Sequence, residues 1–427
     1  MSALDAALSD IPAAEPHLPL HKVAAVGIGN ALEFYDFLTY SFFSIQIGHC
    51  FFPAEHFSNG LLSSLATFGI GFVTRPLGGL IIGRYGDRAG RKPAMMLSFM
   101  LMGIAITGLA LTPSYNRIGV AAPILLVLFR LLQGFALGGE VGPSTAYLIE
   151  AAPLHRRGLY VALQYATQDV AVLSAGLIGF ALSSLLTPEA LDDWGWRAAF
   201  LVGVAVVPVG LAMRRRLPET LVEADREAPV KVPWRLVWLG LALLMSATIC
   251  SYIVDYMTTF AQSSLNLPTN LAFGATIATG LCSVCFEPIA GALSDRVGRR
   301  RVALCSGVLL LLIVMPAFLL VTQLRSVTAL YCATALISIV QSFYGVPVLV
   351  ALAEGLPKAI RSGSLAIIYA LSIALFGGSA QFVVQGLIDW TGNPIAPGWY
   401  MSLALAVGIG AMAFLQETAP TVLERKR

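Results

Sequence analysis

About twelve stretches of this 427-residue chain run apolar for roughly 20 residues or more with almost no charge, the length a helix needs to cross the hydrocarbon core of a bilayer. They lie near 22–48, 60–85, 93–112, 119–150, 157–186, 196–214, 234–264, 269–294, 301–322, 326–354, 361–390 and 398–416. The runs are continuous rather than alternating, so membrane β-strands do not fit. Composition agrees: 57% of residues are hydrophobic and 12% charged, where soluble domains carry about 25% charged residues. Mean hydropathy is +0.77. A soluble enzyme, a nucleic-acid binder and a disordered chain are excluded, and a net charge of +3 is too small for a nucleic-acid partner. The expected fold class is all-α: a polytopic membrane protein of twelve transmembrane helices in a lipid bilayer.

The first twenty residues carry Asp5, Asp10 and Glu15 but no basic n-region. No cleaved signal peptide is expected, and the first apolar helix is expected to target the chain. Six cysteines include one CxxC, Cys282 and Cys285, without the further ligands that zinc requires. No metal is expected.

Basic residues set the orientation. Lys22, Arg84 to Lys92, Arg156 and Arg157, Arg214 to Arg235, Arg296 to Arg301, Lys358, Arg361 and Arg425 to Arg427 fall on one side, 22 of the 27 basic residues. Only Arg117, Arg197 and Arg325 fall on the other, while Arg75 and Arg130 sit within spans. The positive-inside rule then places both termini in the cytoplasm, in what is read as a bacterial inner membrane. The polar stretch around 215–233 divides the chain. The expected organisation is a tail at 1–21, a six-helix half at 22–214, a cytoplasmic linker at 215–233, a second half at 234–417 and a tail at 418–427.

The halves repeat. Gly83-Arg84-Tyr85-Gly86-Asp87-Arg88-Ala89-Gly90-Arg91-Lys92 follows the second span, and Gly291-Ala292-Leu293-Ser294-Asp295-Arg296-Val297-Gly298-Arg299-Arg300 follows the eighth. Glu150, Pro153 and Arg157 recur as Glu354, Pro357 and Arg361, each displaced by 204. Two equivalent halves imply a substrate site near mid-membrane on the pseudo-symmetry axis.

The doubled Gly-x-x-x-Asp-Arg-x-Gly-Arg-(Lys/Arg) loop resembles the signature of the major facilitator superfamily. Gly29-Asn30-x-x-Glu33-x-x-Asp36-Phe37, Arg75-Pro76-Leu77-Gly78, Arg130-Leu131-Leu132-Gln133-Gly134 and Trp194-Gly195-Trp196-Arg197 resemble its metabolite:H⁺ symporter branch. The segments from Tyr344 to Ser402 resemble the citrate and tricarballylate proton symporters of that branch. The resemblance covers nearly the whole chain. It implies secondary active transport of a small organic acid with protons by alternating access, no cofactor beyond the proton gradient, and a small-molecule substrate as partner. The chain is expected to act as a monomer and not as an enzyme; no nucleotide-binding G-x-x-x-x-G-K-[ST] loop is present.

The resemblance also implies a cytoplasmic gate built from Asp87, Arg88, Arg91, Glu150 and Arg157 in one half. Asp295, Arg296, Arg299, Glu354 and Arg361 are its counterparts in the other. Mechanically, Asp87 or Asp295 can cap a neighbouring helix N-terminus. A merely topogenic loop explains the arginines but not the aspartates or the repeat.

Within the spans stand Glu33, Asp36, Arg130, Glu140, Asp169, Asp255 and Glu287. A charge at mid-membrane costs roughly 2.5–3.5 kcal/mol on insertion scales, so these groups must face the interior, be paired or be protonated. Asn30, Glu33 and Asp36 form one helical stripe, Arg130, Gln133 and Glu140 another, and Gln164 and Gln168 share a face. The superfamily resemblance puts the first and fourth helices together, so Arg130 is expected beside Glu33 or Asp36 as the proton-coupling group. A permanent structural salt bridge is the competing reading, and Glu140, after Gly138 and Gly139, is equally read as packing. Asn30, Arg130, Gln133, Gln164 and Gln168 are candidate substrate ligands, with Tyr252, Asp255, Tyr256, Gln341, Tyr344 and Tyr369 from the second half; each aromatic or amide also fits a packing role. His49 and His56 read as solvated loop residues. Asp169, Asp255 and Glu287 depart from the citrate group, and an acidic cavity also suits a zwitterion, a cation or a metal–citrate complex, whether imported or exported.

Overall fold

A computed structural model describes residues 31, 34–35, 37–53, 59–89, 91–138, 145, 148–149, 152–215 and 233–425. Asn30, Glu33, Asp36, His56, Glu140, Glu150 and linker residues 216–232 lie outside the described residues, as do the side chains of Asp87, Arg88, Arg91 and Arg361.

In hydrocarbon a backbone must satisfy its own N–H and C=O groups, so each apolar run becomes a helix. We number the spans α1–α12. The first is α1, ending in Ser44–Phe51; α2 comprises Gly60–Val73 and Arg75–Ala89; α3 is Arg91–Leu111 and α4 is Ala121–Leu137. Then follow α5 Arg157–Leu185, α6 Trp196–Arg215, α7 Trp234–Ser263 and α8 Thr269–Val297. The rest are α9 Arg299–Leu324, α10 Val327–Gly355, α11 (Lys358–Ser372 and Gly378–Thr391) and α12 Ala396–Phe414. Among the described residues, eight helical stretches are long and apolar enough to cross a membrane unaided. Leu312 and Leu403 are each 66% exposed on the outside of the bundle, tolerable only where the solvent is lipid.

Two spans differ from the single rods that hydropathy suggests. At Thr74 α2 turns, and the Thr74 hydroxyl donates to the Leu131 carbonyl of α4 at 2.6 Å. In α11 a π-type turn intervenes at Ile373–Gly377; such turns admit an extra residue and often mark functional positions. Polar residues close the helix ends: Asn59 accepts from the Leu62 N–H at 2.9 Å, and Glu417 accepts from the Arg299 N–H at 2.8 Å.

At two helix pairs small residues bring the backbones of the two halves together. Gly69 of α2 lies against the Gly378 backbone of α11. The α5 and α8 helices run antiparallel in close register: Gly158 meets Gly291, Leu173 meets Gly280, and Gly176 meets Thr276. Small residues at these positions let backbones approach, the usual basis of helix association in lipid. On the side away from the basic loops, Ser41 (α1) exchanges hydrogen bonds with Gln381 (α11) at 2.6–2.9 Å, and Ser44 meets Thr259 (α7) at 3.1 Å.

His49 lies just beyond the apolar run of α1, with Nδ1 2.8 Å from Asp192 Oδ2. That hydrogen bond, opposed by partial burial and aided by the carboxylate charge, holds the His49 pKa above the usual histidine value. A pKa raised on folding contributes stability fully present below the unfolded value of about 6.5 and lost as pH rises through the folded value. His49→Ala is therefore expected to lower thermal stability at pH 5.5 by up to about 1 kcal/mol, the scale of an exposed ion pair, and to be neutral at pH 9. Equal losses at both pH values would show that the contact is packing alone.

Candidate functional site

The chemistry of this chain lies where α5, α7, α8, α10 and α11 converge with α1. A cavity of about 130 Å³ opens there, lined by Gln168 and Asp169 of α5, Tyr252 and Asp255 of α7, Glu287 of α8, Gln341 of α10 and Tyr369 of α11. Phe34 and Leu38 of α1 complete the wall. The volume holds several waters or a small solute. Five residues expected to bind substrate thus share one cavity: Gln168, Tyr252, Asp255, Gln341 and Tyr369.

Others of that group lie elsewhere. Tyr256 is fully buried and donates to Gln385. Tyr344, also fully buried, donates to Ser246 Oγ at 2.9 Å and packs against Gly307 and Gly408. Gln164 Oε1 accepts from the Thr145 hydroxyl at 3.1 Å. Arg130 is fully buried, hydrogen-bonded to Gln133 and to the Phe68 carbonyl at 3.1 Å.

Arg130 nevertheless meets α1. Its guanidinium carbon stands 4.4 Å from the Tyr40 ring centre and 5.1 Å from that of Phe37, while Arg75 covers Phe37 at 4.9 Å and Phe72 at 4.3 Å. Both intramembrane arginines therefore stack on one aromatic cluster of α1 and α2. Desolvated cation–π contacts of this kind contribute about 2 kcal/mol each. Tyr252 continues the cluster toward the cavity, its ring 5.8 Å from Phe72. The arginines stand behind the cavity wall rather than among its lining residues.

Asp169 and Glu287 were legible as intramembrane acids but not as partners. They lie more than a hundred residues apart in sequence, and only the α5–α8 register brings both to the wall of one cavity. Tyr165, one turn before Asp169, lines the same cavity.

Toward the basic loops the α5–α8 seam ends in an ionic cluster. Asp295 accepts from the backbone N–H groups of Gly158 and Leu159 at 2.9 and 3.0 Å. The carboxylate of one half thereby caps the N-terminus of a helix in the other, where orphan N–H groups and the helix dipole favour negative charge. Arg299, fully buried, pairs with Asp295 at 2.6 Å and with Glu354 at 3.4 Å. Thr418 donates to Glu354 at 2.7 Å. Of the expected gate, then, Asp295, Arg299 and Glu354 form one buried cluster; Arg296 is exposed and Arg157 half-buried at the start of α5.

A membrane bundle whose halves enclose an ionisable cavity, closed toward one face by a buried ion cluster, has the architecture of a solute carrier. A family model described as Major Facilitator Superfamily matches residues 34–375, and the chain belongs to that superfamily. It is 33% identical over 415 residues to a citrate–proton symporter of Klebsiella pneumoniae, covering 95% of this chain and 94% of that one. It is 32% identical to an alpha-ketoglutarate permease of Escherichia coli strain K12, covering 93% and 94%. A crystal structure of a D-xylose–proton symporter superposes with a TM-score of 0.72 at 18% identity over 94% of this chain and 98% of that one, a likeness of fold.

Proposed function

We propose that this protein carries a small organic acid, a di- or tricarboxylate such as citrate, across a bacterial inner membrane together with protons, by alternating access of its two halves. The observation that carries the reading is the ionisable cavity between the halves of a chain one-third identical, over nearly its whole length, to a citrate–proton symporter. The basic loops and both termini face the cytoplasm in this reading, and the proton gradient is the energy source. The protein works as a monomer without a cofactor or catalysis of a reaction. Glu33, Asp36 and Arg130 form the proton-coupling group. Asp87, Arg88, Arg91, Glu150, Arg157 and Arg361 complete the cytoplasmic gate around Asp295, Arg299 and Glu354. A second reading, transport of a zwitterion, is favoured by one feature: the described lining carries Asp169, Asp255 and Glu287 together with tyrosine rings and no arginine or lysine.

Purified protein in proteoliposomes is expected to accumulate labelled citrate under an inward proton gradient, and a protonophore should abolish that accumulation. Excess unlabelled 2-oxoglutarate should compete. Competition by glycine betaine with no citrate uptake would replace the first reading by the second.

A further inference from the structure

A second, wider pocket of about 450 Å³ lies at the end of the bundle away from the basic loops. The first half supplies Gln46 and His49 of α1 and Asp192, which precedes α6; the second supplies Ser263 of α7, Asn266 and Thr269 at the start of α8. None of these residues lines the central cavity. Between the two spaces, on α1 and α7, stand Ser44 and Thr259, whose hydrogen bond joins the halves at 3.1 Å. Along α1, Gln46 lies about 3 Å and His49 about 7.5 Å beyond Ser44, at 1.5 Å per residue. The pocket therefore sits directly outside a contact that closes the bundle.

Its chemistry differs from that of the central cavity, where three acids line the wall. Among the described lining residues, His49 and Asp192 are the only ionisable ones, and they pair with each other at 2.8 Å. The bond occupies His49 Nδ1 and leaves Nε2 for a ligand. Protonated, the ring presents an Nε2–H donor, and the pair as a whole is uncharged. Asn266 and Thr269 add an amide and a hydroxyl, both competent donors to a carboxylate. Gln46 is 3% exposed, and its Oε1 is buried with no hydrogen-bond partner. A buried amide oxygen left without a donor is costly. A hydroxyl both donates and accepts, so it serves either end of an amide; a methylene serves neither.

We propose that this pocket is an outer capture site for a small hydroxycarboxylic acid, with its carboxylate against His49, Asn266 and Thr269 and its hydroxyl against Gln46. This deepens the transport reading and rests on it for the identity of the solute. Ligand pockets span about 300–1,000 Å³, so the volume suffices for a six-carbon acid. The solute is sorted by its hydroxyl before the Ser44–Thr259 bond opens, in a pocket whose paired charges tolerate an anion better than three carboxyls do.

The test uses the purified wild type and needs no transport. Diethyl pyrocarbonate at pH 7 acylates an accessible imidazole nitrogen. Peptide mass spectrometry reads its rate at His49, with the exposed His155 at the basic end as internal reference. Citrate at ten times its dissociation constant leaves about one site in eleven free, so the His49 rate is expected to fall about tenfold while that of His155 holds. Tricarballylate, the same acid without the hydroxyl, should bind about fivefold more weakly for want of one hydrogen bond. At the same concentration it then slows His49 only about threefold. Gln46→Met should remove the difference between the two acids. No protection by citrate, equal protection by both acids in the wild type, or a difference that survives Gln46→Met overturns the site. Citrate uptake in proteoliposomes without protection of His49 overturns the capture site alone; protection without uptake overturns the transport reading and leaves the site standing.

Discussion

Arg299→Ala is expected to lower the unfolding temperature of the purified protein by about 6–10 °C. Breaking a buried ion cluster by removing one partner costs about 3–5 kcal/mol, and each kcal/mol shifts the midpoint of a large domain by roughly 2 °C. The reason is local. Arg299 is fully buried between Asp295 and Glu354, and it also donates to Ser294 Oγ at 2.8 Å. Its loss leaves two carboxylates facing each other in a site with little water. Asp295 can retain its bonds to the α5 N-terminus, but Glu354 keeps only the Thr418 hydroxyl among its described partners. Adding Glu354→Gln to Arg299→Ala should recover part of the loss, since the stranded charge is removed. A single variant as stable as the wild type would mean that the cluster is hydrated and contributes nothing. Transport should fall with stability, because the same cluster holds the α5–α8 seam together.

Gly158→Leu is expected to reduce initial transport rates to below about a tenth of wild type, a loss of more than about 1.4 kcal/mol in the productive closure of the carrier. A Cβ at Gly158 would stand 2.5 Å from Arg299 Nη1 and 2.6 Å from the Gly291 carbonyl oxygen. The first neighbour can move, but the second is backbone of the opposing helix. Any side chain therefore pushes α5 off α8, and leucine does so by several ångströms. Overpacked cores lose typically 1–3 kcal/mol; here the strain falls on one state, the closed seam, and so appears as lost turnover. Gly158→Ala should be intermediate. Wild-type rates in the leucine variant would show that this seam does not close during transport.

How much of this was legible before the fold is clearest at individual spans. Hydropathy placed the seventh run at 234–264 and the eighth at 269–294; the helices are Trp234–Ser263 and Thr269–Val297. Agreement is close because lipid leaves an apolar backbone no alternative to internal hydrogen bonding. The resemblance carried by the doubled loop motif likewise put Asp295 and Arg299 in one charged group at the basic end; that they pair with each other, at 2.6 Å across the break between α8 and α9, came from the fold. Legibility ends where a side chain's direction matters. Asp255 and Tyr256 are adjacent on α7, yet Asp255 lines the cavity and Tyr256 points to Gln385. Gln341 and Tyr344 divide in the same way on α10. Helices apolar on every side carry no stripe that marks the inner face. The π-type turn in α11, which brings Ile373 to the cavity wall, left no trace in a continuous apolar run.

The amino-acid sequence by itself determined the solvent this chain folds in, the approximate limits of its apolar spans and the charged motif that recurs after the second and the eighth of them. All of these follow from local hydropathy, local charge or a motif within ten residues. Tertiary structure alone decided which polar residues share the cavity, Asp169 and Glu287 among them, that Arg75 and Arg130 stack on the aromatic cluster of α1 and α2, and that Arg299 joins Asp295 to Glu354. Those contacts depend on how each helix is rotated and how closely its small residues let a neighbour approach, and both are set by the packed bundle as a whole.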